Sequence, residues 1–519
     1  MALIYFFGLS FVCAVVGVLL RRNWRPARRL PPGPPAHPIL GHLRVIPPSN
    51  VRAETFYEWS RQYGDVISLS VFGKTIVVLN SEKAASELLD QRSAIYSDRP
   101  SFPIFERIGW KDGVTFLPYG PEFIHQRRYL QQSFAKSEVQ GYRHIHEEEI
   151  SVFLKNLLED PQDFDRYAHQ LTTGAIINLT YGHRVRSHDD EYFAMTERFQ
   201  DFLRDGLRSS LLDISPIFGY LPGWFPGAWF VNYIAASKPI IKAYIENPLQ
   251  AVRDQMAAGK APSCFASQHL EAMSREGRET PEELRTLAIV SHLIVGGGTE
   301  STWHTITVFF ICMLLNPEVQ AKARAEIDAV VGRGRLPDFT DRDSLPYLDC
   351  ILHETMRRVT LLAQWFPAAQ LGVPHKVMTD DYYEGMYIPK GATVIANSRS
   401  ITWDEKRFHQ PSKFIPERFL PKPQGYGETP PIGAYFGWGR RMCPGRHFAD
   451  RTLWLTFARL LAVFDICKLK NAEGHVLEPE IKFVTGIASH PEPFPCDIRP
   501  RDEHAIHLIR EAYMMTASS

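Results

Sequence analysis

Cysteine is scarce and unpaired in this chain: Cys13, Cys264, Cys312, Cys350, Cys443, Cys467 and Cys496 are scattered through 519 residues with no C-x-x-C. That spacing offers neither a structural zinc site nor a disulfide framework and fits a reducing compartment. Net charge is absent as well, since 58 Lys and Arg balance 58 Asp and Glu, so no nucleic-acid partner is implied. Three nucleotide and metal motifs fail by one residue each. Gly437-x-Gly439 needs glycine at 442 for a dinucleotide fingerprint and has Met442; Gly73-Lys74-Thr75 needs glycine at 68 for a phosphate loop and has Ser68; His353-Glu354 meets Arg357 where a zinc protease has its second histidine. Electrons for any redox step must therefore come from another protein. No repeat or low-complexity linker divides the chain, and 45% hydrophobic residues suffice for one large core. The expected fold is mainly α with small β-sheets, including a strand pair within Val66 to Leu79 and a helix from Pro317 through Val331.

The most informative run is Phe436-Gly437-Trp438-Gly439-Arg440-Arg441-Met442-Cys443-Pro444-Gly445-Arg446, one cysteine on a glycine-lined loop entering a helix. A thiolate so placed can ligate haem iron and push electron density toward it, which favours O–O cleavage. Gly439 and Gly445 are expected to let the backbone pass close to a flat macrocycle. Pro444 suits a helix's first turn, and Phe448, Leu453, Phe457, Leu460, Leu461 and Phe464 recur at helical spacing. A thiol at that helix N-terminus is expected to have a lowered pKa. Arg441 can give a forked hydrogen bond to a haem propionate. The competing reading, a buried structural cysteine, suits the other six.

Phe436, Gly439, Arg441, Cys443 and Gly445 match F-x-x-G-x-R-x-C-x-G, so the chain resembles the cytochrome P450 haem-thiolate monooxygenases, and the resemblance runs from Pro31 onward. It implies haem b (iron protoporphyrin IX) held by Cys443 as axial ligand. Glu354 and Arg357 match E-x-x-R, and Pro416-Glu417-Arg418-Phe419 supplies Arg418; in the family this triad braces the haem loop. The same spacing at Glu58/Arg61 and Glu282/Arg285 reads as surface pairs. Gly297-Gly298-Thr299-Glu300-Ser301-Thr302 resembles the family's oxygen-activation segment, with Glu300 and Ser301, and Thr302 beside them, delivering protons. Ser301 departs from the usual threonine and lacks the methyl that restricts its rotamers. Arg127 and His375 match family propionate contacts, although Phe123 replaces a tryptophan upstream of Arg127. Seven residues, Arg358 to Gln364, precede Trp365-Phe366-Pro367 where many fungal relatives read R-W-x-P directly; this is either an insertion reshaping the pocket or a gene-model error.

Two long apolar runs remain. Leu3 to Leu20 carries no charge and is followed by Arg21, Arg22, Arg25, Arg28 and Arg29. The basic flank follows the run instead of preceding it, which fits an uncleaved anchor better than a signal peptide. The expectation is a membrane anchor over 1–20, a basic and proline-rich hinge over 21–35 and a haem-thiolate domain over 36–519, single-pass in the endoplasmic reticulum and facing the cytosol. The Asn178-Leu179-Thr180 sequon would then go unused. Leu284 to Leu315 reads as a buried central helix, because Arg285, His292, Glu300 and His304 would be costly in lipid. The broken aromatic stretch Tyr220 to Phe230 is either core or a membrane contact. The resemblance further implies O2, a lipophilic small-molecule substrate and NADPH-cytochrome P450 reductase docking near Arg440, Arg446 and Arg128. It points to oxidation of a terpenoid or polyketide intermediate in fungal secondary metabolism. A reductase-independent isomerase or dehydratase and a non-catalytic haem protein are the alternatives.

Overall fold

A computed structural model describes residues 29–517 apart from 39, 49–50, 72, 207–211, 213–215, 363–370 and 484–490. The anchor call over 1–20 and most of the 21–35 segment lie outside the described residues, as does the end of the 358–364 segment. The longer helices are α1 (Arg52–Tyr63), α2 (Pro121–Phe134), α3 (Arg143–Glu159), α4 (Phe164–Tyr181), α5 (Glu191–Gly206), α6 (Trp229–Ala257), α7 (Phe265–Arg275), α8 (Pro281–Leu315), α9 (Pro317–Val330), α10 (Pro346–Leu362), α11 (Arg446–Val463) and α12 (Glu503–Ala517). The strands are β1 (Val66–Val71), β2 (Lys74–Leu79), β3 (His375–Lys376), β4 (Asp381–Tyr383), β5 (Met386–Ile388), β6 (Thr393–Ala396), β7 (Phe464–Cys467) and β8 (Asp497–Pro500). They form one four-stranded sheet, in the order β1-β2-β6-β3, and two two-stranded antiparallel sheets, β4-β5 and β7-β8.

α8 is the axis of the molecule. Its start is set by Thr280, whose hydroxyl accepts the Glu283 N–H, by Pro281 in the first turn, and by Glu282 and Glu283 against the helix dipole. It stops at Asn316-Pro317, and α9 leaves at 104°. Between these ends its side chains are buried on nearly every face, packed against α4, α6, α10 and α11; Phe309 stacks on Phe457 of α11 at 3.9 Å. No single helix among the described residues is long and apolar enough to cross a membrane. The expected strand pair is β1-β2, antiparallel from Val66 opposite Leu79.

Three segments bear on the sequence expectations. Pro31 to Pro34 is bonded to the domain: the Pro32 carbonyl accepts the Ser68 N–H at 2.9 Å, the Pro31 carbonyl accepts the Ser68 hydroxyl at 2.6 Å, and His42 Nε2 meets the Pro34 carbonyl at 2.8 Å. The Pro31 and Pro32 carbonyls thus tie the segment to β1. Pro444 lies in the turn before α11, whose first helical residue is Arg446, and Phe464 begins β7 instead of closing the helix. The Asn178 sequon lies within α4, with Leu179 and Thr180 buried and the Thr180 hydroxyl bonded to the Ile176 carbonyl at 2.7 Å.

Candidate functional site: a buried cysteine loop and the central helix

The cysteine loop is held from several directions. The Cys443 N–H donates to the Phe436 carbonyl at 2.7 Å, closing the loop, and the Phe436 side chain is half-buried at the edge of the core. Gly439 has φ +55°, and a Cβ there would lie 2.3 Å from the Leu89 carbonyl oxygen. Its glycine is therefore required by protein packing at this point. Gly445 leaves the room expected for a macrocycle, because a Cβ there would meet nothing within 4 Å.

The N–H groups of Gly445 and Arg446 point at the Cys443 sulfur, and the Arg127 and Arg446 guanidiniums favour its ionised form. Burial nevertheless outweighs them and pushes the thiol up, so the expected low pKa is reversed. Bonding to a metal is what would expel the proton.

Arg441, Arg127 and His375 converge as the sequence suggested, joined by a residue it did not flag. Arg441 donates to the carbonyls of Ser97 (2.7 Å), Val114 (2.8 Å) and Leu117 (2.6 Å) and lies over the Phe123 ring at 3.8 Å. Burial pushes its pKa down to about 10. Arg127 reaches the Met442 carbonyl, while its Nε is buried with no partner. His375, first residue of β3, bonds the Tyr96 carbonyl through Nδ1 at 2.8 Å, and burial and then the Arg99 charge hold it neutral. Arg99 is the missed residue: buried, bonded to the carbonyls of Thr115, Val373 and Pro374, and depressed by burial and by Arg441. Asp98 neighbours both Arg99 and Arg441 and is itself bonded to Lys376 at 2.8 Å. The cluster carries more positive than negative charge in a low-dielectric setting, which matches a ligand bearing carboxylates.

The oxygen-activation segment occupies the middle of α8. Gly297 is exposed although the helix around it is buried, and a Cβ there would meet nothing within 4 Å. On that open side the Ser301 hydroxyl donates to the Gly297 carbonyl at 3.1 Å. Glu300 is mostly buried, with Oε2 3.6 Å from His304 Nε2, and Thr302 is buried. Nearby, Phe102, Phe105, Trp110 and Phe116 form an aromatic cluster, tied to α8 by Trp110 Nε1 donating to His292 Nε2 at 2.7 Å.

The E-x-x-R triad is completely enclosed. Glu354 accepts from Arg357 (2.8 and 2.7 Å), Arg418 (2.9 Å) and the Ile415 N–H (3.0 Å), and Arg418 also bonds Glu428 at 2.8 Å. Every partner is itself bonded to backbone, so the pairs brace the chain between α10 and the cysteine loop. Glu428 is a fourth member that the motif does not reveal.

A sequence profile for Cytochrome P450 matches residues 31–494. The chain belongs to the cytochrome P450 family. Among its relatives, Cytochrome P450 monooxygenase 136 of Postia placenta is 36% identical, covering 93% of this chain and 90% of that protein. Cytochrome P450 monooxygenase COX2 of Coprinopsis cinerea is 35% identical over 94% and 92% of the two chains, and Cytochrome P450 monooxygenase claR of Ampulloclitocybe clavipes is 35% identical over 97% and 91%. This P450 is accordingly a monooxygenase whose family cofactor is haem iron. The site suits that group on its own evidence: a sulfur ringed by N–H donors, open space above Gly297 and Gly445, and an excess of buried positive charge.

Proposed function

We propose that this P450 oxidises a lipophilic small molecule by hydroxylation or epoxidation, using O2 and electrons from an NADPH-cytochrome P450 reductase. The substrate class we favour is a terpenoid or polyketide intermediate of fungal secondary metabolism. Cys443 would hold haem b through its sulfur, and Arg99, Arg127, Arg441 and His375 would supply the polar, mostly basic surroundings for its propionates. Bound there, the haem would supply activation of O2 and transfer of one oxygen atom. The chain's own residues do the rest. The aromatic cluster around Trp110 excludes water and favours apolar ligands, and Ser301, aligned by the Gly297 carbonyl, passes protons supplied by Glu300.

The observation that carries this reading is the opening in α8, where Gly297 is bare and the Ser301 hydroxyl stands on the exposed side while Thr302 is buried. Ser301, not Thr302, is therefore assigned the relay. Ser301→Ala should release more peroxide and form less product per NADPH consumed, a positioned proton donor being worth about 10²- to 10⁴-fold in the step it serves. Thr302→Ala should change that ratio little. Stopped-flow NADPH consumption with peroxide quantitation reads both. Cys443→Ser should abolish the thiolate-type ferrous carbonyl spectrum. Product formation that persists without NADPH would instead favour the isomerase or dehydratase reading, and metabolite profiles of a deletion strain would name the substrate.

Placement in the endoplasmic reticulum membrane, with the domain in the cytosol, rests on the charge pattern after residue 20 and on one surface. Tyr220 and Trp224 are 88% and 82% exposed and Phe225 is exposed beside them, while Ala228 and Phe230 are buried. Aromatic rings of this kind favour the bilayer interface. Arg128 and Arg440 are exposed near the cysteine loop and offer the reductase a basic surface.

A further inference from the structure

One segment of chain meets α8 beside Gly297, another meets the cysteine loop, and a single guanidinium joins the two. The first, 110–117, carries Phe116, which stacks on Phe105 at 4.9 Å and meets Phe102 at 5.1 Å and Trp110 at 5.3 Å. It is seated on α8 one turn before Gly297: a Cβ on Gly113 would lie 2.8 Å from Leu293 Cδ1, and Leu293 and Gly297 are four apart on one helix face. The second, 372–375, lies beside the cysteine loop, where a Cβ on Gly372 would be 4.0 Å from Trp438 Cζ3. Arg99 is buried between them. Its Nε donates to the Thr115 carbonyl at 3.0 Å, and its Nη1 donates to the carbonyls of Val373 at 3.0 Å and Pro374 at 2.6 Å. All three acceptors are main-chain oxygens, so these bonds fix the position of the chain itself. Arg441 holds the carbonyls of Val114 and Leu117 on either side of Thr115, with Ser97 as its third acceptor. A guanidinium suits such a staple because its N–H groups diverge in a rigid plane, whereas an ammonium offers its donors from one point.

We propose that Arg99 is a positioning residue that sets the width of the substrate site, by holding the aromatic segment 110–117 and the segment 372–375 at a fixed separation. This rests on the reading of a lipophile oxidised between Cys443 and Gly297, and adds what limits its size. A wider ligand has to stretch the bonds at Thr115 or at Val373 and Pro374, which leaves buried carbonyls unpaired. A narrower one leaves the Phe116 side of the site without contact atoms. An apolar site can tell apart ligands that differ by one methylene by about 10- to 200-fold, and that discrimination needs walls that do not yield.

The test titrates the ferric holoenzyme with cycloalkanes from cyclohexane to cyclododecane and reads each dissociation constant from the shift of the haem Soret band. Wild type should have a best ring size and lose affinity by at least about tenfold for each carbon beyond it. Arg99→Lys keeps the charge but cannot reach both segments, so that step should shrink at least about threefold and the best ring should be larger. Haem content is measured in parallel, and the profile is taken from haem-loaded protein, so weaker haem retention does not enter it. Hydrogen exchange of the 113–117 amides in the same holoenzyme should quicken at least about threefold in Arg99→Lys, a readout apart from ligand binding. Phe116→Leu trims the wall and leaves Arg99 in place; it should also move the best ring upward, and it decides should Arg99→Lys fail to fold. If Arg99→Lys loses haem while its loaded fraction keeps the wild-type profile, Arg99 serves the propionates alone and the inference is overturned, with the proposed function left standing. A wild-type profile flat across the series, or one unchanged by Phe116→Leu, overturns it equally. If no cycloalkane shifts the wild-type band, the reading of a lipophile site falls and the inference with it.

Discussion

Single residues in this P450 fall into those whose type announces their environment and those that only the fold explains. Cys443, Gly439 and Arg441 are legible because each is a chemical extreme: a sulfur on a tight loop before a helix, a residue free to adopt φ +55°, and a buried guanidinium needing several acceptors. Arg99 and Asp165 are ordinary residue types whose meaning comes from partners far along the chain, Val373 and Pro374 for one and Trp303 and Thr307 of α8 for the other, so no local spacing exposes them. Glu149 is a third such residue, and it makes stability depend on pH. Burial, with help from Glu148, holds its carboxyl up at about 8 against an ordinary 4.5. Between those values the native protein keeps a proton that the unfolded chain has lost. Its contribution is therefore full below about pH 4.5 and falls as pH rises through 8, by up to about 1.4 kcal/mol per pH unit. Glu149→Gln should narrow the difference between melting temperatures at pH 5 and pH 8; an unchanged difference would show that the carboxylate is ionised throughout.

At the scale of elements, α8 was legible as a buried helix because its charged residues forbade lipid and its glycines forbade a uniform apolar surface. What the sequence could not separate was the work of neighbouring glycines. Gly297 faces open space, whereas a Cβ on Gly298 would come within 2.5 Å of Ile176 Cδ1 on α4. Alanine gains about 1 kcal/mol over glycine in a helix interior, and overpacking costs about 1–3 kcal/mol. Gly297→Ala should thus raise thermal stability slightly and Gly298→Ala should lower it, with melting curves of the two variants as the check. The E-x-x-R triad was equally legible as a brace, but Glu428 was not, since it joins through the fold of the 416–428 segment and not through a fixed spacing. In the proline segment stiffness was visible, while the acceptor role of its carbonyls toward β1 was not.

For the whole molecule, the exposed Tyr220, Trp224 and Phe225 form a surface suited to a bilayer independently of residues 1–20. A chain lacking residues 1–28 should still float with phospholipid vesicles, and Tyr220→Ser combined with Trp224→Ser should reduce the bound fraction several-fold, since each buried aromatic contributes roughly 1.5–3 kcal/mol. Equal flotation of the two proteins would remove this surface from the membrane contact. The sheet has a consequence for biosynthesis. β2 pairs in parallel with β6, Ile76 beside Thr393, so its edge emerges from the ribosome roughly 300 residues before its partner. At 5–20 residues per second that is on the order of 15–60 s with a β-branched strand edge uncovered, an interval in which chaperone supply during synthesis governs the yield of folded enzyme.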